Sequence, residues 1–414
     1  MTDLYSYEEA LRALLTVVPS PETEEVPLEE CRGRVLAEDI SADIPIPPFD
    51  RSAMDGYAVH SADCVNSPVR LEVIATVAAG IEQLPVVKRG QAAQIMTGAP
   101  VPTGCDAVQM VEKTIRVENA VEILESVKPG ENLARMGSEV GQGDIVLRRG
   151  RTIGSAEIGV LAGFGRTRPS VFKLPTVSIL STGDEIVDIN EKPAFGQIRN
   201  SNAWMLQSQC RALGLPSQIL PMVPDDLART REAVETGLES DVLIFTGGVS
   251  MGERDYVHQA VKESPLKTVF HKVAIRPGKP VLLAAGPQKL VFGLPGNPVS
   301  AFVTFELFVR PAVRKWSGFE RPFLPRVKAT LRNELRQKPG RLFFRPGHLT
   351  CKNERLEITG ITTMGSADLV GFSSANALIL MPADVDCLPA GSQVVVLLLE
   401  RFFLDGEDHE VDTH

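Results

Sequence analysis

The sequence predicts a multidomain protein of class α/β plus β. A three-layer α/β domain follows an irregular N-terminal region of mixed α and β and precedes a small C-terminal β-barrel. Three observations predict it. Between residues 174 and 318, continuous apolar runs alternate with helix-period segments, the pattern of buried parallel strands joined by crossover helices. Before residue 168 the apolar residues come in short alternating pieces broken by Gly and Pro, as in half-exposed antiparallel strands. Beyond residue 325, short strands and turns continue without a strong helical period. With 414 residues, 43% hydrophobic and 23% charged, the chain has the composition of a globular protein of several domains.

The opening MTDLYSYEEALRALLTVV carries Glu8 and Glu9 and lacks a positive region ahead of its apolar part. It reads as an amphipathic helix over 5–18, not a leader, so a cytoplasmic protein is expected. The N-terminal region spans 1–168 as two subdomains, the second an inserted β-rich piece at roughly 45–145 holding VRLEVIATVAAG, AVQMVEK and AVEILESVKPG. A short helix from Ala156, stopped by glycine, closes it. The α/β domain, 169–320, takes strands from TVSIL, SQILPMV, DVLIF and LVFGL. Its helices come from WMLQSQCRAL, LARTREAVETGL and PVSAFVTFELFVRPAV. The β-barrel occupies 321–402, and the acidic, apolar-poor stretch 403–414 is expected to be disordered.

Composition excludes several function classes. No window reaches the ~18 apolar residues a membrane span needs. A net charge of −9 argues against general nucleic-acid binding, so an anionic ligand would need a local cationic site. The six cysteines, at 31, 64, 105, 210, 351 and 387, show no metal-type spacing and read as small core residues. No two of the six histidines have helix-face spacing for zinc.

Three strands of the α/β domain end in turns that could do chemistry. TVSIL runs into Ser181-Thr182-Gly183-Asp184-Glu185, and DVLIF into Thr246-Gly247-Gly248-Val249-Ser250, with Asp255 further on. LVFGL runs into Pro295-Gly296-Asn297-Pro298 and then a helix. Ligands of open parallel sheets bind beyond the carboxyl ends of strands, where glycines let backbone N–H groups approach an anion. Any one of these loops is more economically a tight turn or a helix cap; three on one sheet edge favour a phosphate- or oxyanion-containing ligand. The stretch HKVAIRPGKP supplies the cations. A strand over 272–276 would put Lys272 and Arg276 on one face, with Lys279 after the Pro-Gly turn; a basic edge that discourages strand addition is the plainer reading, but an anion site is favoured because the alternation keeps the other face buried. Asp225 and Asp226 precede a helix that either could cap, while Asp225, Asp255 and Asp55 of PPFDRSAMDGYAV offer carboxylates for Mg²⁺.

Six stretches occur in order along the chain: FDRSAMDGYAV, QIMTGAPVPTGCDAVQMVE, STGDEI, TGGVSMGERDYV, AIRPGKP and GLPGNPVSAFVTFELFVRP. Together they resemble the molybdopterin molybdenumtransferases, whose animal relative is the E domain of gephyrin. The resemblance runs from about residue 5 to 400. It implies the last step of molybdenum-cofactor synthesis: adenylylated molybdopterin binds with Mg²⁺, molybdate delivers the metal to the dithiolene sulfurs, and AMP leaves. It also implies a homodimer, with a further contact to the molybdopterin adenylyltransferase that makes the substrate. By position, Asp55, Asp225 and Asp255 resemble the essential carboxylates that hold Mg²⁺, and Thr97 and Glu185 other active-site positions. Pro295, Gly296, Asn297 and Pro298 resemble the pterin-side loop, and Arg276, Lys279 and Ser366 the molybdate site.

This sequence departs from the family pattern at three places. Arg276 stands where lysine is commoner, and Glu139 where aspartate is usual. The arginine expected two residues after a phenylalanine is open between Arg345, Arg341 and His348, because Arg345 directly follows Phe344 and Pro346 takes the expected slot. Rival readings are an enzyme of the same fold with an altered metal preference, tungstate included, the adenylyltransferase itself, and a molybdopterin-binding scaffold. The long N-terminal region and the C-terminal β-domain argue against the adenylyltransferase, which needs only the α/β part.

Overall fold

A computed structural model describes residues 4–248, 256–352 and 355–399. Ser250, Asp255 and the tail 403–414 lie outside them. The chain forms two compact units. One comprises Met1–Glu25, Gly33–Ala37 and Ser170–His414, the other Val26–Arg32 and Glu38–Pro169.

The first helix, α1 (Tyr7–Val17), belongs to the larger unit. Ser6 opens it with a capping box: its Oγ accepts the Glu9 N–H at 3.2 Å while the Glu9 carboxylate accepts the Ser6 N–H at 2.8 Å. Tyr7, Ala10 and Leu14, spaced at three and four residues, are its buried stripe.

The smaller unit carries a six-stranded sheet of β1 (Gly56–Val59), β2 (Val69–Val77), β3 (Gln91–Ile95), β4 (Ala107–Met110), β5 (Thr114–Val117) and β6 (Ala120–Ile123). Their spatial order is β4-β1-β3-β2-β6-β5. All pairings are antiparallel except β2 with β3. Gly56 is obligatory at the start of β1, since a Cβ there would lie 1.9 Å from the Gln109 carbonyl oxygen. Helix α2 (Ser155–Gly163) follows.

The larger unit holds the α/β sheet. Its strands are β7 (Val177–Ser181), β8 (Ser217–Ile219), β9 (Val242–Thr246), β10 (Lys267–Lys272), β12 (Pro280–Gly286) and β13 (Lys289–Leu294); the short β11 (Ile275–Arg276) lies between β10 and β12. The order is β8-β7-β9-β13-β12-β10, parallel as far as β13 and antiparallel thereafter. Pleating sorts the side chains into two cores. Val177, Ile179, Ile244 and Phe292 pack against α1, α3 (Ser201–Ala212) and α6 (Pro298–Thr304). Leu180, Leu243, Phe245 and Val291 pack against α4 (Leu227–Gly237) and α5 (Tyr256–Glu263). Both faces are covered, so the domain has the three layers the sequence predicts.

Two details differ from the sequence reading. The β12–β13 connection is only Pro287-Gln288, too short for a crossover, so this end of the sheet is a hairpin and not a parallel pair. No single strand runs through 272–276 either. β10 ends at Lys272, opposite Pro280, and β11 pairs with a different sheet.

That other sheet is the C-terminal barrel. β14 (Arg326–Leu331), β15 (Leu342–Lys352), β16 (Arg355–Gly360), β17 (Ala377–Met381) and β18 (Gln393–Leu398) close through a β15–β17 pairing. Leu331, Leu349, Ile358, Ile379 and Val396 fill its interior. Helix α6 continues through a π-turn at Phe305–Val309 into α7 (Arg310–Trp316). The π-turn lies just ahead of Pro311, whose ring removes a helical donor.

Candidate functional site

In the larger unit three strand ends converge. β7 and β9 are neighbours, but the chain leaves β7 for β8 on one side before returning to β9 on the other, which makes their carboxyl ends a switch point. The loops are tied by backbone bonds: Thr182 N–H donates to the Thr246 carbonyl at 3.2 Å and Gly247 N–H to the Leu294 carbonyl at 3.2 Å. Asn202, on α3, donates through Nδ2 to Thr246 Oγ1 at 2.8 Å and to the Gly296 carbonyl at 2.7 Å. Gly247 (φ +90°) and Gly248 (φ +65°) pack so closely that a Cβ on either would come within 2.4 Å of Thr182. Among the described residues, two buried polar atoms in this cluster, Thr182 Oγ1 and Asn202 Oδ1, have no hydrogen-bond partner, which leaves a donor and an acceptor to offer a ligand.

The acids divide by role. Asp226 caps α4, its side chain accepting the Arg229 N–H at 2.9 Å. Asp225 is half-buried, and its N–H donates to Asp184 Oδ1 at 3.0 Å. Glu185 is exposed and folds back over Gly183, its Oε2 2.6 Å from where a Cβ would sit. Pro298 occupies the first turn of α6, and Asn297 does not cap that helix; its Nδ2 donates instead to Ser366 Oγ at 2.9 Å.

Beside these loops lies a cleft of about 510 Å³ between the α/β domain and the barrel. Pro295, Asn297 and Ser366 line it together with Arg276, Lys279, Arg336, Arg341 and Arg345, and among the described residues no carboxylate lines it. Among the described residues, only Arg336 of these cations has an ion-pair partner, Glu334 at 2.6 Å. Arg345 Nη1 donates to the Arg336 carbonyl at 3.0 Å and Arg341 Nη1 to the Ile275 carbonyl at 3.3 Å. Burial, reinforced by the Arg276 charge, lowers the Arg345 pKa. A concentration of unneutralised cations in a chain of net charge −9 is a site for an anion. Gly278 (φ +97°) lets the Arg276–Lys279 turn press on α6, because a Cβ would meet Thr304 Cγ2 at 2.3 Å.

Lys272 does not line the cleft, having stayed with the α/β sheet. His348 does not either; Arg341 and Arg345 both do. Arg336 is absent from the sequence reading. Its signal is the cation-rich stretch Arg336–Arg345, which contains no acid.

In the smaller unit, Asp55 sits just before β1, where its Oδ1 accepts both the N–H (2.7 Å) and the Oγ1–H (2.9 Å) of Thr97. The backbone bond, then the hydroxyl bond, hold its pKa below the ordinary carboxylate value, so the exposed Asp55 is ionised at neutral pH. Among the described residues, Oδ2 makes no hydrogen bond. Asp50, the other acid of that stretch, is a strut: Met136 N–H and Arg135 Nη1 bond to it at 2.8 and 2.6 Å. Glu139 pairs with Arg51 at 3.0 Å.

Burial pushes the Cys64 thiol up to about 11 and those of Cys105 and Cys210 to about 12, which removes them as nucleophiles. Among the described residues no three His, Cys, Asp or Glu side chains gather to hold a metal, and no helix is long and apolar enough to cross a membrane.

Residues 5–165 match the family described as MoeA N-terminal region (domain I and II). Residues 178–315 match the probable molybdopterin binding domain, and 328–399 the MoeA C-terminal region (domain IV). The chain is 35% identical over 400 residues to the molybdopterin molybdenumtransferase of Staphylococcus aureus strain Mu50, covering 95% of each chain. Over 402 residues it is 35% identical to that of Staphylococcus epidermidis strain RP62A, covering 95% of this chain and 96% of the relative. Its fold is similar to the crystal structure of a molybdopterin biosynthesis MoeA protein from Pyrococcus horikosii. There the TM-score is 0.82 at 32% identity, covering 95% of this chain and 99% of that one.

Proposed function

This chain belongs to the MoeA family of molybdopterin molybdenumtransferases, and we propose that its cationic cleft takes molybdate while its sheet edge takes adenylylated molybdopterin. The activity is insertion of molybdenum into molybdopterin, the final step of molybdenum-cofactor biosynthesis. The observation that carries the assignment of roles is the cleft itself: five cations, of which only Arg336 is ion-paired, and no lining carboxylate among the described residues, beside three strand-end loops.

In this reading the backbone at Gly247 and Gly248 and the hydroxyl of Thr182 hold phosphate oxygens. Pro295, Gly296, Asn297 and Pro298 form the wall on the pterin side. Arg276, Lys279 and Ser366 hold the tetrahedral oxyanion by charge-assisted bonds. Two Mo–S bonds form as one oxide of molybdate leaves as water with the two dithiol protons, and attack of water on the adenylyl phosphate bond releases AMP and leaves the phosphate on the pterin.

In the same reading Asp55, an ionised carboxylate with one oxygen anchored by Thr97, would hold Mg²⁺ with Asp225 and Asp255 as an oxygen-only donor set. Bound there, Mg²⁺ would neutralise charge on the phosphates. Thr97 orients the Asp55 carboxylate, and Glu185 borders the site. A homodimer, receipt of substrate from the molybdopterin adenylyltransferase and a cytoplasmic location belong to the same proposal.

A single-turnover assay with adenylylated molybdopterin, Mg²⁺ and molybdate tests it. AMP and active cofactor appear together in the wild type, and Asp55→Ala loses both by at least about 100-fold. Binding of the nucleotide by wild type without cofactor formation would sink the proposal.

A further inference from the structure

We propose that Phe343 is the positioning residue of the cationic cleft, its ring a shared platform that holds the Arg276 and Arg345 guanidiniums on one wall to face a single oxyanion. The inference rests on the reading of the cleft as the molybdate site.

The Arg276 guanidinium carbon stands 4.7 Å from the Phe343 ring centroid and that of Arg345 5.8 Å, both within cation–π reach of about 6 Å. One strand pairing and the pleat of one strand bring them there. β11 runs parallel to β15 with Arg276 directly opposite Phe343. Phe343 and Arg345 are two residues apart on β15, so the pleat turns them to the same face. Phe344, on the other face, is fully buried in the core. A slip of one residue would therefore drive Arg345 into the core, which pins the register.

Two like charges on one wall repel, and among the described residues neither meets a carboxylate. The negative face of the ring offsets part of that repulsion without consuming guanidinium donors, whereas a carboxylate would consume them and compete with the anionic ligand. Phe343 is half-buried: it packs against the barrel core and also lines the cleft, unlike Phe344, so part of its ring is left to face the two guanidiniums.

The test compares full-length wild type, Phe343→Leu, Phe343→Met and Phe343→Tyr under saturating adenylylated molybdopterin while molybdate is varied. Leucine and methionine keep apolar bulk and remove the π face; tyrosine retains it. The expected result is a KM for molybdate raised about 5- to 30-fold in Leu and Met and within about 2-fold of wild type in Tyr. The kcat at saturating molybdate and the affinity for adenylylated molybdopterin stay unchanged. An unchanged KM in Leu and Met, or a loss in Tyr equal to theirs, overturns the role of Phe343. A KM for molybdate in Arg276→Ala equal to that of wild type overturns instead the reading of the cleft.

Discussion

Asp55 and Thr97 show how one residue prepares another. The carboxylate is exposed, so burial does not set its charge; two donors from a single threonine do, the backbone N–H more than the hydroxyl. The folded-state pKa lies below the ordinary 3.8, so whatever stability the contact adds is present above that value. It disappears as pH falls through the depressed pKa. Thr97→Val removes the hydroxyl and leaves the N–H. An NMR titration of the Asp55 carboxyl is then expected to show its pKa raised towards, but not reaching, the ordinary value. A pKa identical to wild type would mean that the hydroxyl bond contributes nothing. Asp50, five residues earlier, is the contrasting case: its oxygens are spent on Arg135 and Met136, and its work is to hold the loop.

At the level of elements, function is concentrated where β7, β9 and β13 end. The apolar runs of these strands bury both faces of the sheet, and the first residues beyond them must turn without side chains in the way. Gly247 is the tightest of these positions. Its φ of +90° strains any L-residue, and a Cβ would lie 2.4 Å from the Thr182 backbone oxygen, which cannot move aside as a side chain could. Gly247→Ala should therefore destabilise by about 1–3 kcal/mol, read as a lower urea midpoint at unchanged m. A variant with the wild-type midpoint would show that the loop relaxes freely. On β15 the strand period works the other way, sending Phe343 and Arg345 to the cleft while Phe344 anchors the core.

For the molecule as a whole, the acidic corner and the sheet edge belong to different units of the chain, Asp55 to the smaller and Glu185 to the larger. If the homodimer joins the corner of one subunit to the edge of its partner, inactive variants should complement. Mixing Asp55→Ala with Glu185→Ala after reversible dissociation is expected to restore about a quarter of wild-type activity, because half of the dimers then carry one intact site of two. No recovery, with subunit exchange demonstrated, would argue against a site shared in that way.

How much of this was legible beforehand depended on range. The apolar runs of β7, β9 and β13, the capping box at Ser6 and Glu9 and the glycine-rich strand ends are local patterns, and a chain read in order displays them. Ordered motifs identified the family for the same reason. The partners of the cations were not legible. The stretch 272–276 reads as one strand, yet the chain changes sheets after Lys272, and this parts Lys272 from Arg276. Arg345 sat between two registers in the sequence, and it is the burial of Phe344 that turns it, with Phe343, towards the cleft. The sequence by itself determined which segments form strands and helices and which loops carry polar residues, because side-chain periodicity and backbone preference act over a few neighbouring positions. Only the tertiary structure decided which charges share a cleft, because strand pairing joins residues far apart in the chain and the packing of a core selects the register.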